Sequence, residues 1–233
     1  MTAVADFLRG SLFPVVLTLL AYQVGLFCQK KTGTALCNPI LIGVVLVLGV
    51  LALTRVTVEE YRTGMNVLSW LMTPATVCLA IPMYEQFQIL KKNLRGILAG
   101  VLSGALACLA AVLVLSLVLG FDRTLTVSLL PKSVTTAIGA PLSELSGGSG
   151  PITTAAIILT GILANVLSMP LFRLFRLTDP IVRGVALGTS GHVIGTAKAG
   201  ELDPLTGAVS SLSLVTAGLL TAAVFPLLTR LIP

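Results

Sequence analysis

The sequence predicts an all-α, polytopic membrane protein built as a helical bundle. Of its 233 residues, 55% are hydrophobic and only 10% are charged, and the mean hydropathy is +1.02. A soluble globule needs a more polar surface than this composition supplies. We therefore expect one membrane domain over residues 1–233, which crosses the cell membrane (the plasma or inner membrane) several times and lies in contact with the lipid bilayer.

Six apolar stretches are predicted to be full spans, since a helix needs about 20 mainly apolar residues to cross a bilayer. The first follows Arg9 but lacks a small-residue cleavage site, so we interpret it as a retained helix and not as a signal peptide. The third carries Pro74 and Pro82. Proline removes a backbone donor, so a kink or unwound turn is expected near the middle of that span. The predicted spans are residues 7–27, 39–54, 65–90, 96–119, 152–172 and 205–231.

Two further segments, residues 124–145 and 182–202, are predicted to be broken or re-entrant helices. They contain polar, helix-breaking stretches at residues 130–150 and 188–201, where charged side chains would be costly in hydrocarbon unless they faced a cavity, a partner or the membrane boundary. The residues expected to break these helices are Pro131, Gly188, Gly191 and Gly195.

The basic residues predict an orientation for these segments. They cluster at residues 30–31, 91–95 and 173–183, and cytoplasmic loops collect Lys and Arg. If all three clusters lie inside, the two broken segments approach the midplane from opposite faces, as in inverted-repeat transporters. An inverted-repeat architecture is therefore a hypothesis, although the two halves show no convincing sequence similarity.

The first polar stretch has the composition of an anion site. Pro131 can open a helix, and the hydroxyls of Ser133, Thr135 and Thr136 surround its N-terminus. The free N–H groups and the dipole of such a helix end favour a carboxylate or phosphate, and Lys132 would add a full positive charge. Alternatively, Lys132 extends to the lipid headgroups and the hydroxyls only satisfy a kinked backbone.

The second polar stretch interleaves glycines with candidate substrate ligands. On one continuous helix, Gly188, His192 and Thr196 would share a face. His192 is the sole histidine and could carry a proton, although a lone histidine in a packed bundle is often structural. The glycines could equally serve close helix packing. The candidate ligands here are Thr189, Ser190, His192, Thr196 and Lys198.

Three acids lie near the broken segments, namely Glu85, Glu144 and Glu201. They could pair with Lys132 and Lys198, which would offset the cost of burying charge, or they could act with His192 in proton or ion coupling. For Glu85 and Glu201, a position at the wet membrane boundary is the alternative.

Other classes of function find no support in the sequence. The net charge of +6 is distributed as short clusters between apolar runs, which indicates membrane topology and not nucleic-acid binding. No motif of an enzyme or of a dinucleotide site is present, so we expect neither catalysis nor a cofactor. No pair of cysteines has metal-ligand spacing, so no metal site is expected, and the cysteines are interpreted as small apolar fillers. They are Cys28, Cys37, Cys78 and Cys108.

Four motifs in this order resemble the LrgB/CidB family over nearly the whole chain. They are Asn38 with Pro39, PATVCLAIPMYEQ at residues 74–86, LPKSVTTAIG at residues 130–139 and GTSGHVIGTAKAGEL at residues 188–202. The sequence departs from the common pattern at Ala137, where a proline often stands, and at Gly191, where a serine often stands. The first departure could soften the helix break, and the second removes one candidate substrate hydroxyl.

The resemblance implies two functions. Some relatives are described as carriers of glycolate, glycerate or pyruvate, which favours a secondary transporter of small organic monocarboxylates with its anion site at the two polar stretches. Bacterial relatives are described as antiholin-like regulators of murein hydrolase export and autolysis that work with a small holin-like partner of the LrgA/CidA type. We expect the first function, keep the second as its alternative, and expect the chain to form a homo-oligomer.

Overall fold

The computed structural model describes residues 12–32, 38–54, 56–230 and 232. Every regular element within these residues is a helix, which confirms the all-α prediction. Residues 7–11 of the first predicted span, and Cys37, lie outside the described residues. The helices are α1 (Leu12–Thr32), α2 (Pro39–Thr54), α3 (Val58–Gly64), α4 (Asn66–Cys78), α5 (Ala80–Glu85), α6 (Phe87–Leu119), α7 (Arg123–Leu129), α8 (Thr136–Leu145), α9 (Gly150–Leu174), α10 (Pro180–Leu202) and α11 (Pro204–Thr229).

Five helical stretches in the described part of the chain are long and apolar enough to cross a membrane. Helix α2, followed across a 120° bend by α3, adds a sixth if the bent pair is one span. The protein is therefore a polytopic helical membrane protein, as the composition predicts. The five stretches are Leu12–Thr32, Asn66–Glu85, Phe87–Leu119, Gly150–Leu174 and Pro204–Thr229.

The third predicted span is interrupted near its middle. Pro74 lies inside α4 and Pro82 in the first turn of α5, both with helical backbone. The first turn of a helix has no intrahelical acceptors for its N–H groups, so Pro82 leaves no bond unmade there. The interruptions fall at the turns of Leu79 and Gln86. Leu79 lies in the turn that precedes Pro82, which is the part of a helix that a proline disrupts, so the assignment of the breaks to Pro74 and Pro82 stays a prediction.

The contacts of the chain group into two compact units, Met1–Cys78 and Leu79–Pro233. In the first unit, Phe13, Leu51 and Val56 form a small core. The second unit has larger cores, one of which joins α6 to α11 through buried residues that include Ile97 and Val209. The prediction of a single membrane domain stays a prediction.

The first broken segment is a helical hairpin of α7 and α8, which we call the first hairpin. Its tip is the non-helical stretch from Leu130 to Thr135, so this break falls where Pro131 predicts it. A Cβ on Gly139 would lie 3.2 Å from the carbonyl oxygen of Pro131. Nearer the base, the Ser149 N–H donates to the Ser128 hydroxyl at 2.7 Å. These contacts bring Gly139 back beside Pro131 and Ser149 back beside Ser128. The chain therefore reverses at the tip.

The second broken segment, α10, reverses at His192, and we call it the second hairpin. His192 has φ 41° and ψ −134°, and it is the residue at which the helical backbone is interrupted. A Cβ on Gly195 would lie 2.4 Å from the carbonyl oxygen of Leu187, whereas residues eight apart in a straight helix are about 12 Å apart along the axis. The prediction that the helix breaks at Gly188, Gly191 and Gly195 is therefore wrong. The backbone of these glycines is helical, and they allow close packing instead.

The two hairpins enter the second unit from opposite ends. At the C-terminal end of α11, the guanidinium of Arg123 in the first hairpin donates to the carbonyl oxygen of Thr229 at 3.0 Å. At the N-terminal end of α11, the hydroxyl of Thr206 donates to the carbonyl oxygen of Pro180 in the second hairpin at 3.2 Å. Entry from opposite ends agrees with the opposed arrangement expected if all three basic clusters lie inside, while the membrane side of each hairpin stays a prediction. The inverted repeat itself stays a prediction.

Helix α6 provides the wall on which the tips meet. A Cβ on Gly100 would lie 3.0 Å from Val185, and one on Gly104 would lie 3.1 Å from Thr189. These glycines therefore allow the second hairpin to pack closely against α6. One turn further along α6, the thiol of Cys108 lies 3.0 Å from the hydroxyl of Ser133 at the first tip. The tips therefore contact α6 within about 6 Å of each other along its axis.

Candidate functional site at the hairpin tips

Lys132 carries the positive charge of this region. Its ammonium donates to the Ser133 hydroxyl at 3.4 Å and to the Cys108 thiol at 3.5 Å. Among the described residues, no carboxylate oxygen lies within 4.0 Å of it. The side chain is half-buried, so a cation that has no carboxylate partner in the described part of the chain is partly withdrawn from the surface of the second unit. A charged side chain inside a bilayer is costly unless it faces a partner or a water-filled cavity.

A cavity of about 520 Å³ opens beside Lys132 between α6, α9 and the two hairpins. Lys132, Ser133 and Cys108 form one end of it, and α9 supplies most of the remaining wall. Its volume lies within the range of small-molecule sites. The lining residues are Cys108, Lys132, Ser133, Thr160, Leu163, Ala164, Leu167, Ser168, Leu171, Phe172, Ala186, Leu187 and Ser190.

A second, small cavity of about 10 Å³ lies on the α11 side of the tips. Its wall includes Thr189 from the second hairpin, Pro131 from the first hairpin and Thr221 from α11. The hydroxyl of Thr189 is buried and has no hydrogen-bond partner among the residues that the structure describes. A space of this volume holds about one water-sized group, and the unpartnered hydroxyl would bind one.

Cys108 and Ser133 line both cavities. The structure thus brings four of the predicted ligands, namely Lys132, Ser133, Thr189 and Ser190, to one region where the opposing tips meet. Their assignment as substrate ligands stays a prediction. The hydroxyl of Ser190 donates to the carbonyl oxygen of Ala186 at 2.6 Å, so its proton is already engaged.

Thr135 and Thr136 are at the first tip but line neither cavity. Thr135 is the N-cap of α8, although its side chain makes no capping hydrogen bond, and Thr136 is exposed. The helix opens at Thr136 and not at Pro131, because Pro131 to Val134 form turns. The N-terminus that the sequence places at Pro131 therefore begins five residues later.

His192 is a packing residue in this structure. Its Nε2–H donates to the carbonyl oxygen of Ile157 in α9 at 2.8 Å, and its ring fills the space beside Gly161. The break at His192 also invalidates the predicted helical face of Gly188, His192 and Thr196. The hydroxyl of Thr196 instead lies 2.9 Å from that of Ser210 in α11.

The remaining charged candidates lie away from the tips. Lys198 pairs with Glu201 at 2.8 Å near the base of the second hairpin. Glu144 lies at the base of the first hairpin, where its carboxylate approaches Gly150 at the N-terminus of α9, and Glu85 is exposed. Lys198 and Glu201 thus form one of the predicted pairs. Among the described residues, none of the coupling candidates His192, Glu85, Glu144 and Glu201 lines either cavity.

Sequence reasoning missed Cys108 and the apolar wall. Cys108 was interpreted as a filler, and it lies 24 residues from Lys132 in the chain, so no local spacing relates the two. The leucines of α9 look like any lipid-facing row. The one signal that could have drawn attention to Cys108 is its spacing from Gly100 and Gly104, because residues at four-residue intervals share one face of a helix.

The fold defines the class as a polytopic α-helical membrane protein in which two opposed helical hairpins meet beside a lysine-containing cavity. The model of the LrgB-like family matches residues 18–231, and the chain belongs to this family. Relatives named "Antiholin-like protein LrgB" come from Bacillus mycoides (strain KBAB4), Bacillus cereus (strain B4264) and Bacillus anthracis (strain CDC 684 / NRRL 3495). Each is 34% identical over 216 residues, which are 92% of this chain and 94% of the relative. No solved structure matches the chain.

Proposed function

We propose that this chain is an antiholin-like protein of the cell membrane, which restrains murein hydrolase export and autolysis together with a small holin-like partner of the LrgA/CidA type. The observation that carries the proposal is the similarity to relatives named antiholin-like over nearly their whole length. Gly100 and Gly104 pack on the second hairpin, so they are not free to bind a partner. In the described part of the chain, no atom lies within 4 Å of a Cβ on Gly96 of the same helix, which leaves this position open to another helix.

Gly96→Leu is expected to weaken co-purification with the holin-like partner and to speed autolysis, because the added side chain would hold a second helix away. The measurement is the rate of lysis of a deletion strain complemented with wild type or variant. Gly200→Leu is the control, since Gly200 is also exposed with no neighbour within 4 Å of a Cβ. Lysis that is unaffected by deletion of the gene would contradict the function. Equal effects of the two variants would contradict the role of Gly96.

A second function, transport of small organic monocarboxylates, is favoured by the site geometry. A lysine without a carboxylate partner in the described residues faces a 520 Å³ cavity between two opposed hairpins. Broken helices that meet near the midplane are a typical substrate site of secondary transporters. We propose that Lys132 and Ser133 bind the carboxylate of pyruvate, glycolate or a related acid. The two functions are compatible, since carboxylate flux across the membrane could itself alter autolysis.

Lys132→Gln is expected to lower carboxylate uptake into proteoliposomes by roughly tenfold to a hundredfold, as expected for the loss of a charged hydrogen bond. Lys198→Gln is the control, because Lys198 is bound to Glu201 and lines neither cavity. Uptake that survives Lys132→Gln at the wild-type rate would overturn the site. If the protein takes up no such acid, the transport function is contradicted and only the antiholin-like function remains.

A further inference from the structure

We propose that the 520 Å³ cavity selects monocarboxylates with an apolar tail over hydroxylated three-carbon acids. This inference rests on the second proposed function, monocarboxylate transport, and names the class of acid that the site prefers. It is carried by the division of the cavity into a charged end and an apolar end.

The charged end fits one carboxylate. Lys132 supplies one ammonium, flanked by the Ser133 hydroxyl at 3.4 Å and the Cys108 thiol at 3.5 Å. Directly behind Ser133 and Cys108 lies the 10 Å³ space with the unpartnered hydroxyl of Thr189. A single water or one carboxylate oxygen fills that space. The described part of the cavity wall carries no second cation, so a dicarboxylate would bring a charge that nothing there neutralises.

The apolar end consists mainly of hydrocarbon. Seven of the thirteen lining residues are aliphatic or aromatic, and they form a continuous wall along α9 and the second hairpin. A tail that leaves the charged end is therefore in contact with methyl and methylene groups, which favour apolar atoms over water. The apolar lining residues are Leu163, Ala164, Leu167, Leu171, Phe172, Ala186 and Leu187.

Three hydroxyls lie away from the charged end of the cavity, those of Thr160, Ser168 and Ser190, and two of them already donate their proton to the backbone. The Ser168 hydroxyl donates to the carbonyl oxygen of Asn165 at 2.8 Å, and the Ser190 hydroxyl donates to that of Ala186 at 2.6 Å. Neither has a proton left to donate. The hydroxyl groups of glycerate would therefore give up hydrogen bonds to water without full replacement, which costs binding.

A homologous series tests the preference. Acetate, butyrate and hexanoate, with pyruvate and glycerate for comparison, are titrated calorimetrically into the purified full-length protein. Each methylene group that enters the apolar end is expected to tighten binding about fourfold, and glycerate is expected to bind more weakly than butyrate. Hexanamide, which has a neutral head group, reports binding by the tail alone and is expected to give no heat of binding at the site.

Two variants test the charged end and the apolar end of the cavity separately. Lys132→Gln is expected to weaken binding by roughly tenfold to a hundredfold at every chain length, below the range that the calorimeter detects. Leu163→Trp is expected to flatten the dependence on chain length by filling the apolar end. Leu159→Trp is the matched control, because Leu159 is 60% exposed on the same helix, Leu163 is 56% exposed, and only Leu163 lines the cavity.

The outcomes distinguish a failure of the apolar-tail preference from a failure of the transport proposal on which it rests. Tighter binding with chain length that is lost in Lys132→Gln and flattened only in Leu163→Trp supports the inference. If pyruvate or glycerate binds as tightly as butyrate and depends on Lys132, the preference is overturned while the transport site stands. If no acid binds in a Lys132-dependent way, both are overturned. A dependence on chain length that persists in Lys132→Gln reports partition into detergent and overturns the preference.

Discussion

Gly188→Ala is expected to lower the free energy of unfolding by about 3 kcal/mol or more, at the upper end of the usual cost of overpacking a helix interface. Gly188 lies in the first half of the second hairpin, where a Cβ would be 2.3 Å from the carbonyl oxygen of Ser210 and 2.8 Å from the Cβ of Ser213. The closest atom belongs to the backbone of α11 and cannot rotate away. The hairpin must therefore shift from α11 to admit even one methyl group.

Gly200→Ala provides the matched control for this prediction. The substitution and the helix are the same, and a Cβ on Gly200 has no neighbour within 4 Å among the described residues. It is expected to be neutral or to raise the stability by about 0.5–1 kcal/mol, because alanine loses less backbone entropy than glycine in a helix. Thermal unfolding of both variants in one detergent makes the comparison. Equal stability of the two variants would show that α10 and α11 do not approach as closely as described.

The two hairpins could be predicted because their signal is local. Proline, clustered glycines and charged side chains in an apolar chain mark places where a continuous lipid-facing helix would be costly. Pro131 lies at the first tip, as predicted. The opposed entry of the hairpins was expected on the assumption that all three basic clusters lie on the inner side, and that assumption stays a prediction.

The position of the second break could not be predicted from local composition. Glycine both permits unusual backbone angles and allows close helix contact, and a sequence does not say which use applies. Here Gly188 and Gly195 serve contact, and the non-helical residue is His192. What distinguishes His192 is the carbonyl oxygen of Ile157, 35 residues earlier in the chain, to which its ring is hydrogen-bonded.

The residues of the candidate site also fall into those that the local sequence predicts and those that only tertiary contacts define. Lys132 and Ser133 could be named because they are charged or polar next to a helix break. Lys198 satisfies the same rule, yet it lies near the base of the hairpin and pairs with Glu201. Which lysine faces a cavity depends on where the chain reverses, and that depends on tertiary contacts. Cys108 joins the site through contacts of α6 for the same reason.

His192→Ala is expected to destabilise the protein more than His192→Gly, by about 1–2 kcal/mol, because alanine retains the strain of the tip and glycine does not. Both substitutions remove the hydrogen bond to Ile157 and the ring beside Gly161. They differ in the Cβ, which is unfavourable at φ 41° and ψ −134°. In an ordinary helix the order is reversed, since glycine is less stable than alanine there by about 0.5–1 kcal/mol. Thermal unfolding of both variants measures the difference.

The pair of variants also separates the shape of the second tip from the chemistry of the imidazole. His192→Gly keeps the backbone conformation that places Thr189 beside the first tip, while it removes the imidazole group. If His192→Gly takes up carboxylate at the wild-type rate and with the wild-type pH dependence, the imidazole holds the tip and carries no proton. If uptake is lost in His192→Gly although the unfolding temperature stays near that of wild type, the imidazole itself takes part in transport. A more stable His192→Ala than His192→Gly would show that the chain does not reverse at this residue.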